Sequence, residues 1–346
     1  MVVSQAFRIA LASVVLTGVA SAQLTDADVE ARIREGVLRF ERGELAAAQR
    51  TFEAVLAERP DHVVANYELA YTLLRQGELE RALAIIDGAF ARNLPVTAEY
   101  YAVGASIVES LGRSDEAVER FQQGIAAFPD NHNLHLNFGI TQIMRDDAVG
   151  AKASFERAIS LQPDHPSAHF FLGQIYANEG LNAAAILALG KGMGFDNPQR
   201  AAAAANIVKS IMDNSITRTD DGTPVVVMPV DYQVPPMTLN KFSAAVAMHY
   251  GTSLARQRKI EGDMSYESYA NAFAALVTEF AGAGIDPASH FAADHYLGFF
   301  GPMVENNHQV TFAHLILGSL NPALASAWAQ ASSESLASFR AWTQSR

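Results

Sequence analysis

The chain has 346 residues and no cysteine; 49% of it is hydrophobic, 18% is charged, and its formal net charge is −12. That balance belongs to folded chains rather than disordered ones. It lacks the basic surface that a nucleic acid or an anionic membrane demands of a partner, and without cysteine it has neither disulfides nor thiolate metal sites.

In chain order, the first segment reads as an export signal. Arg8 supplies positive charge, Ile9 to Ala20 is apolar, and Ala20-Ser21-Ala22 offers a small-x-small cleavage site. Cleavage is expected after Ala22, so that residues 1–22 are a signal peptide. The apolar run is short for a membrane anchor, which needs roughly 20 residues. No lipid-bearing cysteine follows it. The expected setting is a bacterial periplasm or the medium outside the cell, with no membrane span once the signal is removed.

From Val29 onward the same marks return every ~34 residues. Glycine stands at 43, 77, 112 and 180, and alanine follows five places later at Ala48, Ala82, Ala117 and Ala185, with Ala151 in the unit that lacks the glycine. Pro60, Pro129 and Pro163 close three of the units. The units run over Val29–His62, Val63–Val96, Ala98–Asn131, His132–His165 and Pro166–Arg200. Their eighth places are small (Gly36, Ala70, Ala105, Gly139, Gly173) and their twenty-fourth places large and apolar (Phe52, Ile86, Phe121, Phe155, Leu189). Two antiparallel helices approach closely only where a small residue meets such a neighbour. The glycine is expected to end the first helix in a left-handed conformation. The proline sits past the second helix, where its missing N–H is harmless.

Over about residues 29–200 this register resembles the tetratricopeptide repeat family. The resemblance implies an all-α fold, a right-handed α-solenoid of helix hairpins. Departures are Asp146 for the turn glycine in the fourth unit, Leu94-Pro95 in the second, and Gly190, Gly192 and Gly194 in the last. Ala201–Met212 reads as a capping helix, since an array needs its end covered. The expected layout is a repeat array over 29–213, a proline-containing extended linker over 214–240, and a C-terminal helical domain over 241–346. The linker carries an apolar strip from Val225 to Val230. It could lie in the groove, pair as a short strand or thread between domains, and it is expected to pack on the array.

The resemblance also implies that the first helices line a concave groove. The residues at the groove places are Ile33, Val37 and Phe40; Val64, Tyr67, Tyr71 and Leu74; Leu136, Ile140, Ile143 and Met144; and Phe170. This apolar face predicts a protein or peptide partner. Family members that grip a free carboxylate use basic residues and asparagines at these places. Here Arg75 is the only base, so that specificity is not expected.

Beyond Lys241 the helical period returns without the repeat marks. Helices are expected over about 240–259, 266–281, from Asp286-Pro287 to Gly301-Pro302, over 307–317, and from Asn321-Pro322 to about Trp342. The alanine-rich, weakly charged C-terminal half suggests a self-association surface. Asp286, His290 and Asp294 share one helical stripe that His295 or His308 could complete for a divalent metal, but none stands at clear helical spacing, and a solvated polar stripe with Asp286 as a cap is the expected reading. His132, His135, His165 and His169 are explained by repeat register, and adjacent hairpins are expected to hold them too far apart for one ion. Gly190–Gly194 follows no strand, so it is no dinucleotide loop. No cofactor and no catalysis are expected. The function read from the sequence is an exported scaffold in cell-envelope assembly. The alternative is an enzyme or ligand-binding unit in the C-terminal helices, docked by the repeats.

Overall fold

The computed structural model describes residues 25–193, 197–214, 216–218, 224–226, 270, 271, 274, 277, 278, 291–318 and 321–345. Among these the fold is all-α, apart from one short pair of strands. The chain divides into two compact units, one ending at Val96 and the other beginning at Thr97.

The first unit holds two helix hairpins: α1 (Asp26–Glu41) with α2 (Leu45–Glu58), and α3 (Val63–Gln76) with α4 (Leu79–Ala91). The second begins with three more: α5 (Ala98–Ser110) with α6 (Ser114–Ala127), α7 (His132–Met144) with α8 (Ala148–Leu161), and α9 (Pro166–Asn178) with α10 (Asn182–Gly192). Then comes the capping helix α11 (Pro198–Asn214).

The sequence marks have the physical roles expected of them. Gly43, Gly77, Gly112 and Gly180 all sit at φ between 75° and 81°. Asp146 takes the same place in the fourth hairpin at φ 59°, a left-handed conformation that aspartate tolerates better than most side chains. The small eighth places meet the large twenty-fourth ones. A Cβ on Gly36 would lie 2.5 Å from Phe52 Cε1, and one on Gly139 would lie 2.6 Å from Phe155 Cε1. The alanines at 48, 82, 117, 151 and 185 are fully buried. Polar caps start some of the helices: Asn131 Oδ1 accepts from Leu134 N–H at 3.0 Å, and Asp147 Oδ1 from Gly150 N–H at 2.9 Å.

After α11, β1 (Ile216–Arg218) pairs antiparallel with β2 (Pro224–Val226), Thr217 opposite Val225. The start of the apolar strip is therefore a strand. Its remainder, and most of the linker expected up to 240, lie outside the described residues, as do residues 1–22 and the helix expected over 240–259.

Four further helices are described: α12 (Phe291–Glu305), α13 (Gln309–Leu317), α14 (Pro322–Ala331) and α15 (Ser333–Gln344). Two differ from the sequence reading. α12 runs through Gly301-Pro302 instead of ending there. Phe300 and Met303, buried on either side of the proline, hold that turn in the core. The last segment is two helices, broken at Ser332 (φ −114°, ψ 33°). The break lets Trp328 stack on His314 at 4.2 Å while Phe339 packs on Phe312 at 6.2 Å. The start expected at Asp286 lies outside the described residues.

These helices do not stand apart. Tyr296, Phe300, Met303, Phe312 and Phe339 belong to one buried cluster with Phe155, Leu172, Tyr176 and Leu189 of the fourth and fifth hairpins and Val208 of α11. Ala270, Ala274 and Val277, all helical, join it.

Candidate functional site

In the first unit, α1 and α3 lie side by side and present their outward stripes together. Residues three and four apart share a helix face. Val37 and Phe40 come from α1, and Val64, Tyr67, Tyr71, Leu74 and Arg75 from α3. Phe40 and Tyr71 have ring centroids 5.1 Å apart, and Tyr67 stacks on Tyr71 at 6.1 Å and 11°. The Arg75 guanidinium sits 5.8 Å from the Phe40 centroid. Val37, Phe40, Tyr67, Tyr71 and Leu74 are all half-buried, and Val64 is 46% exposed. Ile33 differs: it is buried with Val29 and Gly36 and belongs to the core.

Glu68 lies on the same stripe of α3, between Val64 and Tyr71. Burial holds its carboxyl above the ordinary glutamate range, and the nearby Glu41 carboxylate adds to the shift. The groove positions read from the sequence omit Glu68, because it occupies the sixth place of its repeat rather than the fifth or ninth. Its signal was an acid inside an aromatic stretch, Tyr67-Glu68-Leu69-Ala70-Tyr71. Leu38, 51% exposed, was missed as well.

In the second unit the expected groove residues separate into two groups. Leu136 is buried in the core, and Ile140 and Phe170 lean against it. Ile143 and Met144, at the end of α7, are 39% and 65% exposed. Val149 across the turn is 81% exposed and extends that apolar tip. Phe170 is hemmed in from behind, because a Cβ on Gly192 would lie against the Phe170 amide and 2.7 Å from its Cα.

Part of α9 is covered from within the chain. His169 is fully buried; its Nε2 lies 2.8 Å from the Pro163 carbonyl and its Nδ1 3.1 Å from the Tyr296 hydroxyl. The carbonyl requires the proton on Nε2, so Nδ1 accepts from Tyr296. Burial pushes the Tyr296 and Tyr176 hydroxyls far above the usual tyrosine range, and both stay protonated. Burial also raises the Glu156 carboxyl.

The histidine spacing needs a correction. His132 and His165, on adjacent hairpins, are not far apart: their ring centroids are 5.1 Å apart, edge to face. His132 is the first residue of α7 and His165 the cap just before α9, one place apart in repeat register, so stacking the hairpins brings them together. Burial first, and His132 next, lower the His165 pKa, favouring a neutral ring. His308 packs on Phe339 and Trp342 and His314 on Trp328, which makes them core histidines. No group of three metal-ligating side chains occurs among the described residues. Asp286 and His290 lie outside them. No helix among the described residues is long and apolar enough to cross a membrane.

A model of the tetratricopeptide repeat matches residues 39–107, and a second model of the same repeat matches residues 146–194. These two stretches of the N-terminal half are tetratricopeptide repeats. Among solved structures, a thermophilic tetratricopeptide protein of Thermus thermophilus is 24% identical, covering 52% of this chain and 99% of its own, with a TM-score of 0.47. Pseudomonas aeruginosa pilF is 19% identical, covering 55% of this chain and 86% of its own, with a TM-score of 0.47. YrrB, described as a tetratricopeptide protein with an unusual peptide-binding site, is 17% identical over 48% of this chain and 85% of its own, with a TM-score of 0.35. No curated protein matches the chain.

Proposed function

We propose that the chain is a non-catalytic adaptor whose tetratricopeptide repeats hold a protein or peptide partner against the outward faces of their first helices. The observation that carries this reading is the cluster of Phe40, Tyr67 and Tyr71 at the surface of the first unit. Tyr71 packs on both Phe40 and Tyr67, and the three rings, each partly open to water, offer rigid area that a partner can cover at small entropic cost. Tyrosine is enriched where binding energy concentrates. The exposed tip of Ile143, Met144 and Val149 is a second surface of the same kind in the second unit.

The adaptor works outside the cytoplasm, in assembly of a bacterial envelope complex. Arg8, the apolar stretch Ile9–Ala20 and the Ala20-Ser21-Ala22 site support export. N-terminal sequencing of the protein recovered from cells should begin at Gln23, and an uncleaved chain would remove the export part of this reading.

Partner binding is tested with a photo-crosslinking residue placed at Tyr71, at Met144, or at the exposed Glu119 on α6. A discrete adduct is expected from the first two and none from the third. The Tyr71 adduct should disappear when Tyr67→Asp is added. Equal labelling at all three positions would mean that the first-helix faces have no special role.

A further inference from the structure

Several acids of the first unit are matched to bases. Glu35 pairs with Arg39, Glu53 and Glu78 with Arg81, Glu58 with Arg32, and Asp61 with Arg92. Glu41 and Glu68 are exceptions. Among the described residues neither carboxylate meets a base or a side-chain donor. Glu41 is exposed at the end of α1, one residue after Phe40, whereas Glu68 is half-buried beside Tyr67 and Tyr71. The nearest charge that acts on Glu68 is Glu41, and it is repulsive. Arg75, the base at hand, lies over Phe40 instead.

A half-buried carboxylate with no partner costs stability, because burial removes water without replacing it. Here that cost falls on Glu68, beside Tyr67 and Tyr71 on α3, and the exposed Glu41 carboxylate adds repulsion to it. Aromatic faces attract cations through their quadrupoles, and Phe40 already accepts a guanidinium. The carboxylates and rings therefore complement one chemistry, a positive charge on an apolar stem, as lysine and arginine present it.

We propose that the face formed by Phe40, Glu41, Tyr67, Glu68 and Tyr71 is a receptor for a lysine or arginine side chain of a partner peptide, flanked by apolar residues. The ammonium or guanidinium sits between Glu41 and Glu68, and its methylene stem lies along the rings. This rests on the reading of the first-helix faces as a partner site, and it sets the sign of the partner's charge. Val64 and Leu74 add no charge, and the one like charge on this face, Arg75, is held over Phe40.

The test uses the mature full chain and three fluorescein-labelled, end-blocked nonapeptides, alternating leucine with lysine, with glutamine or with glutamate. Binding is read by anisotropy at neutral pH in about 0.15 M salt, where remote charges are screened beyond ~8 Å. The lysine peptide should bind at least tenfold tighter than the glutamine peptide, and the glutamate peptide weakest. Glu68→Gln should cut the lysine preference about fivefold or more and leave the glutamine peptide unchanged. Glu119→Gln, which removes the same charge from α6, should not alter the preference. Circular dichroism checks that each variant is folded.

Equal binding of all three peptides would overturn the cation receptor while leaving the apolar partner face standing. A preference that Glu119→Gln reduces as much as Glu68→Gln would assign it to overall charge and would also overturn the proposal. Binding of none of the peptides would remove both the receptor and the partner face.

Discussion

Gly192 and Gly88 both lie within second helices of repeats, yet they face different surroundings. A methyl group on Gly192 would strike the backbone of His169 and Phe170, which cannot swing aside as a side chain can. Gly88 meets only Arg92 Nη1, at 3.7 Å. Alanine is the better helix former by about 1 kcal/mol. Gly88→Ala should therefore stabilise the chain by about 0.5–1 kcal/mol, and Gly192→Ala should destabilise it by about 1–3 kcal/mol through overpacking; urea unfolding reads both. Their neighbours in the fold decide the sign of each substitution. Glu68 carries a related prediction. Its pKa is raised on folding, so the folded chain holds the extra proton, and stability falls as pH rises from the ordinary glutamate value through the raised one. The penalty is therefore carried on the neutral side of that range. Glu68→Gln should then raise Tm at pH 7 by about 1–3 °C, with the gain shrinking to nothing once pH drops below about 4.3. A lower Tm at pH 7 would mean that the carboxylate has a stabilising partner.

At the scale of elements, helix boundaries in the repeats were legible because they rest on local chemistry: a cap, a left-handed glycine, a proline. In the C-terminal helices that logic weakened. Gly301-Pro302 looks like a stop, but buried Phe300 and Met303 carry α12 past it. The break at Ser332 has no strong local signal, since two tryptophans and a phenylalanine must reach the core from one segment. The contact between α9 and α12 was invisible in sequence. His169 and Tyr296 are 127 residues apart, and no local rule relates them. Tyr296→Phe keeps the ring but takes the donor from a fully buried His169 Nδ1, leaving an acceptor unsatisfied. The expected cost is about 1–3 kcal/mol, larger than for Tyr71→Phe at the half-buried surface, measured by chemical denaturation. No loss would mean that this hydrogen bond does not hold α12 in place.

Across the molecule, the same contact changes how the second half is understood. The described C-terminal helices share a hydrophobic core with the fourth and fifth hairpins, so they act as part of the array's end. A chain ending at His290 would strip Tyr296, Phe300, Met303, Phe312 and Phe339 from that core. Hydrogen exchange should then quicken in α9, α10 and α11, while α1 to α4, in the other compact unit, keep their protection. Unchanged exchange in α9 to α11 would show that the terminal helices are independent of the repeats. The repeat period, the left-handed turns, the pairing of small with large residues and the candidate aromatic face could all be read from the sequence, because each depends on spacing within one repeat or between adjacent repeats. The burial of Ile33 and Leu136, the closeness of His132 and His165, the half-burial of Glu68 and the docking of Tyr296 on His169 were decided by tertiary structure. Each depends on which side chains of different helices come into contact, and periodicity along a chain does not specify that.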